Sequence, residues 1–284
     1  MILFDQKKLN PYREFHPYPP FIPPDAEKLI IGSFPPIKLT RIIDPDADDP
    51  VIKIYNHYLA RNPFKLGDFQ FYYGSVENLF WKLMGDIYQT QLNSLKEVKE
   101  LLIEKRIGVT DVIELCVRKL QDKKENKLVF PTDLTMLLSI TDVFIKPDNV
   151  SVDKRELMRF GVSSGDNYLS PILFRDIPAI LRDNRRIEHL IFSSINAFKL
   201  WKKAFPEMEL KSDGNESYIK LNKSSYRISI LPSPSGAANK SIGSIKVYQQ
   251  KNDKDPSFNT YKYRLEAYKK VLVQKCNTKN SIDV

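Results

Sequence analysis

The segment Lys28-Leu-Ile-Ile-Gly-Ser-Phe-Pro-Pro36 carries three large apolar residues and ends in a glycine, a serine, a phenylalanine and two prolines. A short apolar run bounded in this way is typical of a strand buried on both faces. The runs His189-Leu-Ile-Phe-Ser193 and Tyr226-Arg-Ile-Ser-Ile-Leu231 have the same character, and the second leads into Pro232-Ser-Pro-Ser-Gly-Ala-Ala-Asn239. These runs predict strands of a largely parallel sheet.

Helical spacing of apolar residues separates the strands. It predicts helices over 77–88, around 94–105, over 195–204 and over 260–273, whereas the apolar stretch 108–116 fits a helix or a strand. A further helix is predicted to begin at Ser170-Pro171, since serine caps a helix and proline suits its first turn.

Strands alternating with helices predict an α/β fold, a three-layer α/β/α architecture around a central, largely parallel four-stranded sheet. Ligands of such sheets bind beyond the carboxyl ends of the strands. We therefore expect the loop at 32–36 and the loop at 232–239 to meet at one rim of the sheet.

Composition excludes several classes of protein. The 284 residues are 42% hydrophobic and 28% charged, which is ordinary for a globular chain. No stretch approaches the ~18 apolar residues of a membrane span, and Asp5, Lys7 and Lys8 interrupt the N-terminus before a signal sequence can build. Two cysteines, Cys116 and Cys276, cannot supply a disulfide framework or a four-cysteine metal site. We expect a cytoplasmic protein that uses no metal and no cofactor.

The positive charge is unevenly distributed. The net charge is +9, and residues 199–284 carry 17 basic and 8 acidic side chains, which account for the whole excess. A one-sided basic field attracts polyanions such as nucleic acids. A lysine-rich surface that only keeps the protein in solution explains the charge equally well.

The expected organisation is a proline-rich N-terminal arm over 1–27, one α/β domain over 28–275, and a flexible tail over 276–284. The domain is expected to carry irregular inserts near 40–70 and 141–169, and the first insert holds an acidic run.

Four segments in this order resemble the uracil-DNA glycosylase superfamily, most of all its hypoxanthine/uracil branch. They are Leu29-Ile-Ile-Gly-Ser-Phe-Pro-Pro36, Tyr72-Tyr73-Gly-Ser-Val-Glu-Asn78-Leu-Phe80-Trp81, Gly108-Val-Thr-Asp111-Val-Ile-Glu-Leu-Cys116-Val-Arg118 and Leu231-Pro-Ser-Pro-Ser235. The resemblance implies a monofunctional DNA glycosylase. Such an enzyme uses water to cut the N-glycosidic bond of uracil or hypoxanthine in DNA and so initiates base excision repair. It implies DNA as the partner, a monomer, and a prokaryotic-type protein used at the nucleoid.

The resemblance also assigns site residues. It makes Asn78 the catalytic residue, which positions water or contacts the base. It assigns substrate binding to the first loop and the paired tyrosines, namely Gly32, Ser33, Phe34, Pro35, Tyr72 and Tyr73. An aromatic platform suits an extruded base, and main-chain amides suit a base carbonyl. A helix-capping role for Asn78, core positions for both tyrosines, a structural role for Asp111 and burial of Phe34 are the plain alternatives.

The second loop is implied to bind DNA phosphates, through Pro232, Ser233, Pro234, Ser235, Asn239 and Lys240. Prolines stiffen the loop, and hydroxyl and amide groups donate to phosphate oxygens. Lys246 extends the same track. A rigid surface turn without a ligand is the alternative.

Three residues depart from the patterns of the wider superfamily. Phe34 stands where other branches carry Asp or Asn, Leu231 stands where many carry His or Asn, and Pro36 replaces a glycine. These departures leave open a non-catalytic nucleic-acid-binding protein of the same fold. An α/β hydrolase acting on small nucleosides is a third hypothesis, ranked last because no histidine in the sequence has a visible triad partner.

Overall fold

A computed structural model describes residues 13–43, 45–46, 56, 59–117, 121–122, 127–128, 172–206, 208–213, 216–221 and 224–273. The chain divides into two compact units. The first consists of Met1–Pro17, Phe34–Lys65 and Ile113–Arg175, and the second of Tyr18–Ser33, Leu66–Val112 and Asp176–Val284. Within the described residues, no helix has the length and apolarity that crossing a membrane requires.

The second unit is built on a six-stranded sheet, in the order β3-β2-β8-β11-β10-β9. Its strands are β2 (Lys28–Gly32), β3 (Ile107–Asp111), β8 (His189–Phe192), β9 (Glu209–Asp213), β10 (Glu216–Leu221) and β11 (Ser224–Ile230). The first four strands of that order run parallel, and β10 and β9 continue the sheet antiparallel.

The predicted mixed α/β fold with a largely parallel central sheet is confirmed, but the sheet has six strands rather than four. The two additional strands form an edge hairpin whose sequence is mostly polar. Such a hairpin lacks the apolar run by which a buried strand is recognised, so the sequence pattern does not predict it.

Helices cover both faces of this sheet. On one face, Ile30, Val109 and Ile191 pack with helices α2 (Phe80–Tyr88), α3 (Leu95–Glu104) and α8 (Thr260–Leu272). On the other face, the Phe192 ring lies 5.4 Å from the Trp201 ring of helix α5 (Ile195–Ala204). Neighbouring residues of a strand point to opposite faces, so these contacts define three layers.

Most predicted helices form, with shifted ends. The helix expected over 77–88 begins at Phe80, and those expected over 195–204 and 260–273 are α5 and α8. The stretch 108–116 forms strands, β3 and then β4 (Ile113–Val117). Helices α6 (Asn239–Gly243) and α7 (Lys246–Lys254) lie between α5 and α8 in the chain.

The prediction that a helix begins at Ser170-Pro171 is wrong. Ile172–Phe174 form strand β7, and helix α4 (Ile177–Asp183) begins after Asp176. The Asp176 carboxylate accepts from the Ala179 amide at 2.9 Å, so this aspartate is the cap of the helix.

The first unit contains a separate three-stranded antiparallel sheet in which β4 lies between β1 (Arg13–Phe15) and β7. It also holds helix α1 (Ile37–Thr40) and the short pair β5 (Gln121–Asp122) and β6 (Lys127–Leu128). The buried Glu14 carboxylate accepts from the Thr40 hydroxyl at 2.8 Å and from the Arg41 guanidinium at 2.7 Å.

The arm predicted over 1–27 is only partly within the described residues. Tyr18 and Phe21 pack in the aromatic core of the second unit, and Phe21 bridges to Val109 of β3. The insert at 40–70 is described in part. The insert at 141–169 and the tail at 276–284 lie outside the described residues.

Candidate active site

The carboxyl ends of the four parallel strands are tied together by main-chain hydrogen bonds. The Val112 amide, just after β3, donates to the Gly32 carbonyl at 2.9 Å. The Ser193 amide, just after β8, donates to Ile31 at 3.0 Å, and Leu231, just after β11, donates to Phe192 at 2.8 Å. This rim is where an α/β sheet places a ligand.

Gly32 allows two polar side chains to lie against the main chain at this rim. A β-carbon on Gly32 would stand 2.0 Å from Asp111 Oδ1 and 2.6 Å from the Tyr73 hydroxyl. Neither distance leaves room for an atom there. Gly32 is therefore required for the close approach of a carboxylate and a phenol.

Tyr73 is held in a constrained position. Its main chain has a φ of 55°, in the left-handed region that residues other than glycine seldom adopt. Its ring stacks on Phe80 with centroids 4.1 Å apart and planes 22° apart. One ring face is thus covered, so the prediction of a base platform is limited to the other face and the edge.

The Tyr73 hydroxyl oxygen is buried and finds no hydrogen-bond partner among the described residues. Burial first, and then the Asp111 carboxylate, raise the pKa of Tyr73 well above its usual range. The Ser193 hydroxyl is close enough to oppose part of that rise, although it does not meet hydrogen-bond geometry with Tyr73. The phenol is therefore neutral, and its hydroxyl forms no hydrogen bond of normal geometry with the described residues.

Asn78 lies beside the second loop of the site. It forms an isolated antiparallel bridge with Ser235, and the next residue, Leu79, donates its amide to the Pro234 carbonyl at 3.0 Å. The Asn78 side-chain oxygen accepts at 2.9 Å from the amide of Phe80, the first residue of helix α2, while Leu79 occupies the N-cap position. Asn78 thus satisfies one amide at the start of the helix without being its N-cap residue, and this bond occupies the side-chain oxygen.

Tyr72 is a core residue. It is 1% exposed, and its hydroxyl donates to the carbonyl oxygens of Tyr18 at 3.2 Å and Pro19 at 3.1 Å. The structure thus accounts for Tyr72 by packing, whereas Tyr73 has its hydroxyl at the rim.

Internal hydrogen bonds shape the second loop, residues 232–239. Ser233 Oγ accepts from the Ser235 amide, and Ser235 Oγ accepts from the Ala237 amide, both at 3.3 Å. Pro234 is buried, while Pro232, Ser233 and Ser235 are half-buried. The loop is therefore preformed and accessible from outside.

Arg264 of helix α8 holds this loop from behind and is the main residue that sequence reasoning missed. It is 0% exposed and donates to the carbonyl oxygens of Ser233 at 2.7 Å and Ser235 at 2.9 Å. It also donates to Asn239 Oδ1 at 2.8 Å. Within the described parts of the chain, no carboxylate pairs with this buried cation.

A sequence signal for Arg264 does exist. It lies four residues before Tyr268 and eight before Leu272, and both of these are buried on the same side of α8. A charged residue in register with an apolar face is one that the fold must satisfy internally.

The residues predicted to bind phosphate at the end of the second loop differ in whether their side chains are already hydrogen-bonded. The Asn239 carbonyl oxygen is already used, since it accepts from Arg264 and from the Thr260 hydroxyl at 3.2 Å. Lys240 and Lys246 are exposed. Exposed lysines of this kind can contact a phosphate without any rearrangement of the loop.

The first loop is shared between the two units. Gly32 and the half-buried Ser33 belong to the second unit, whereas Phe34 and Pro35 belong to the first and are buried there. The Phe34 ring meets the His16 ring edge-on, with centroids 5.5 Å apart. A platform role for Phe34 remains a prediction.

Across the described residues, no group of three or more histidine, cysteine, aspartate or glutamate side chains is arranged to hold a metal ion. The second unit instead places a neutral phenol beside a carboxylate at Gly32, and a side-chain amide beside a serine loop that is backed by a buried cation. Such a set can donate to carbonyl and phosphate oxygens and can orient water.

Comparisons with known proteins find similarity among solved structures only. No family model matches the sequence, and no curated protein matches it. Among solved structures, the chain is similar to the solution NMR structure of a "putative Uracil DNA glycosylase" from Methanosarcina acetivorans. The identity is 17%, the match covers 90% of this chain and 94% of the other, and the TM-score is 0.41.

Proposed function

We propose that the protein is a DNA glycosylase that hydrolyses the N-glycosidic bond of a deaminated base, uracil or hypoxanthine. The observation that carries the proposal is the junction of Asn78 with Ser235 at the carboxyl rim of the sheet. It brings the residue proposed for catalysis next to the loop proposed for phosphate binding, although the two lie far apart in sequence.

The chemistry needs what this rim offers. The bond between C1′ and the base nitrogen breaks, its electron pair stays with the base, and a water oxygen bonds to the oxocarbenium-like C1′. One water proton ends on the released base. The Asn78 side-chain nitrogen is proposed to hold the base or the water, since its oxygen is committed to the Phe80 amide.

The serine loop is proposed to grip the phosphates beside the extruded nucleotide. Its Ser233 and Ser235 carbonyls turn toward Arg264, which leaves the opposite edge of the loop to an anion. The net excess of nine positive charges in residues 199–284 favours the same partner.

The direct test uses purified protein at low salt with oligonucleotides that contain one uracil or one inosine, in single and double strands. The proposal predicts release of the base and strand cleavage after treatment with alkali. Absence of release from every substrate would contradict it.

A non-catalytic DNA-binding protein is the second candidate, favoured by one observation: the Asn78 oxygen already accepts from the first amide of helix α2. It predicts binding with a steep salt dependence, no turnover, and no effect of Asn78→Ala on affinity. The glycosylase proposal predicts turnover that Asn78→Ala abolishes.

A further inference from the structure

We infer that the Tyr73 hydroxyl donates a hydrogen bond to the carbonyl oxygen of the departing base and stabilises the negative charge that grows there. This inference rests on the proposed function and assigns to Tyr73 a catalytic role that is distinct from stacking.

The first observation is an unused donor. The Tyr73 hydroxyl oxygen is buried without a hydrogen-bond partner among the residues described, whereas the neighbouring Tyr72 donates to two main-chain carbonyls. A buried hydroxyl left without an acceptor costs free energy. A ligand that supplies an acceptor would recover that cost on binding.

The second observation is preorganisation. The left-handed main chain of Tyr73, with a φ of 55°, and the stack of its ring on Phe80 at 4.1 Å fix the direction of the hydroxyl. Strain of this kind persists where the surrounding structure enforces it, and it is concentrated at functional sites. A donor that needs no reorientation is most effective toward a transition state.

The third observation is location. The hydroxyl lies over Gly32 beside the Asp111 carboxylate, at the rim where the four parallel strands end. The residue as a whole is partly exposed although its hydroxyl oxygen is buried. This rim is where a parallel sheet places its ligands, so the hydroxyl borders the proposed base site.

The protonation state of Tyr73 suits a hydrogen-bond donor. Burial and Asp111 keep the phenol protonated, because both raise its pKa. Tyr73 therefore shares its proton with the base oxygen and does not transfer it.

The test compares Tyr73→Phe with the wild-type protein on two leaving bases of different stability. The substrates carry the base that the wild type releases and its electron-poor analogue, 5-fluorouracil for uracil or 2-fluorohypoxanthine for hypoxanthine. Fluorine stabilises the departing anion, so the analogue depends less on a donor. Single-turnover release rates and melting temperatures are measured.

Loss of one such donor costs about 100-fold to 1,000-fold in rate. We expect a loss of this order on the natural base, a clearly smaller loss on the fluorinated base, and an unchanged or higher melting temperature. The temperature expectation follows because the substitution removes a hydroxyl that has no protein partner.

The matched control is Tyr72→Phe, which removes a neighbouring hydroxyl that is hydrogen-bonded to the main chain. It is expected to lower the melting temperature and to slow both bases by the same factor. An equal loss on both bases in Tyr73→Phe, or no loss, would overturn the inference while the proposed function stands. A wild-type protein that releases neither base would overturn both.

Discussion

The Leu79 amide donates to the Pro234 carbonyl oxygen at 3.0 Å, which fastens the start of helix α2 to the serine–proline loop. Asn78 and Ser235 form a bridge beside this bond. Two segments that are remote in sequence thus form one edge of the second unit, and each depends on the other for its position. A substitution in one segment is expected to disturb ligand binding by the other.

Asn78 has two separable roles that three variants distinguish. Asn78→Ala removes the oxygen that accepts from Phe80 and the side-chain nitrogen, so it is expected to lower the free energy of unfolding by about 1 kcal/mol and to abolish base release. Asn78→Asp and Asn78→Ser keep an accepting oxygen and should retain most of the stability. Both should still fail in catalysis, since neither carries the amide nitrogen. Full activity in Asn78→Ser would show that Asn78 only satisfies the helix amide.

Gly32→Ala tests the close approach at the rim. The new methyl group would meet Asp111 Oδ1 at 2.0 Å and the Tyr73 hydroxyl at 2.6 Å. Overpacking of this kind costs about 1–3 kcal/mol, so urea denaturation should show a clearly less stable protein. Gly243→Ala is the control, because nothing lies within 4 Å of its added carbon. Equal stability of the two variants would contradict the described contact.

Arg264 is expected to be a positioning residue of the second loop. Arg264→Met leaves the carbonyls of Ser233 and Ser235 without their donor, and such unsatisfied groups cost about 1–3 kcal/mol each. In Arg264→Met, both the affinity for DNA and the free energy of unfolding should therefore decrease.

Arg264→Lys retains the charge but cannot supply the fork of donors. It should restore affinity only in part. The exposed Arg182→Met is the control and should bind DNA as the wild type does. Wild-type affinity for DNA in Arg264→Lys would mean that the positive charge of residue 264, and not its fork of donors, supports DNA binding.

His189 makes stability depend on pH. It is 1% exposed, its Nδ1 lies 2.9 Å from Arg227 Nη2, and its Nε2 lies 2.9 Å from Ser229 Oγ. Burial, followed by Arg227 and Lys28, lowers the pKa of His189 from 6.5 to about 3. The folded protein therefore keeps this ring neutral while the unfolded chain protonates it.

The stabilising contribution of the neutral ring is complete above pH 6.5 and is lost as the pH falls toward 3. Between those limits the unfolded state binds the additional proton, and the loss amounts to about 4 kcal/mol. His189→Gln should remove this part of the pH dependence. Chemical denaturation from pH 7 to pH 4 measures it, and parallel profiles for the two proteins would contradict the assignment.

The buried strands could be predicted because short, uninterrupted apolar runs bounded by turn residues are typical of strands covered on both faces. Leu29, Ile30 and Ile31 are all 0% exposed in β2, as an uninterrupted apolar run implies. The hairpin of β9 and β10 was not predictable in this way, since its strands are mostly polar and contain no apolar run. Its pairing is set by register with β11 rather than by local composition.

The site was predictable only where a motif fixed a loop. The second loop contacts residues 78–79 at the start of helix α2, whereas the sequence predicts the loop at 32–36 as its neighbour, and that prediction stays a prediction. Arg264 was missed because a lone arginine in an amphipathic helix ordinarily faces water, and only the fold shows that its partners are loop carbonyls. The hydroxyl of Tyr73 was equally hidden, since its direction depends on a left-handed main chain.

Hydrogen exchange tests the joined site most directly, measured on the protein alone and bound to a duplex that contains a stable abasic-site analogue. The account predicts slower exchange on binding in both 72–79 and 231–239, with little change in the edge hairpin of β9 and β10. Protection of only one of the two segments, or of the hairpin instead, would contradict the claim that they form a single binding site.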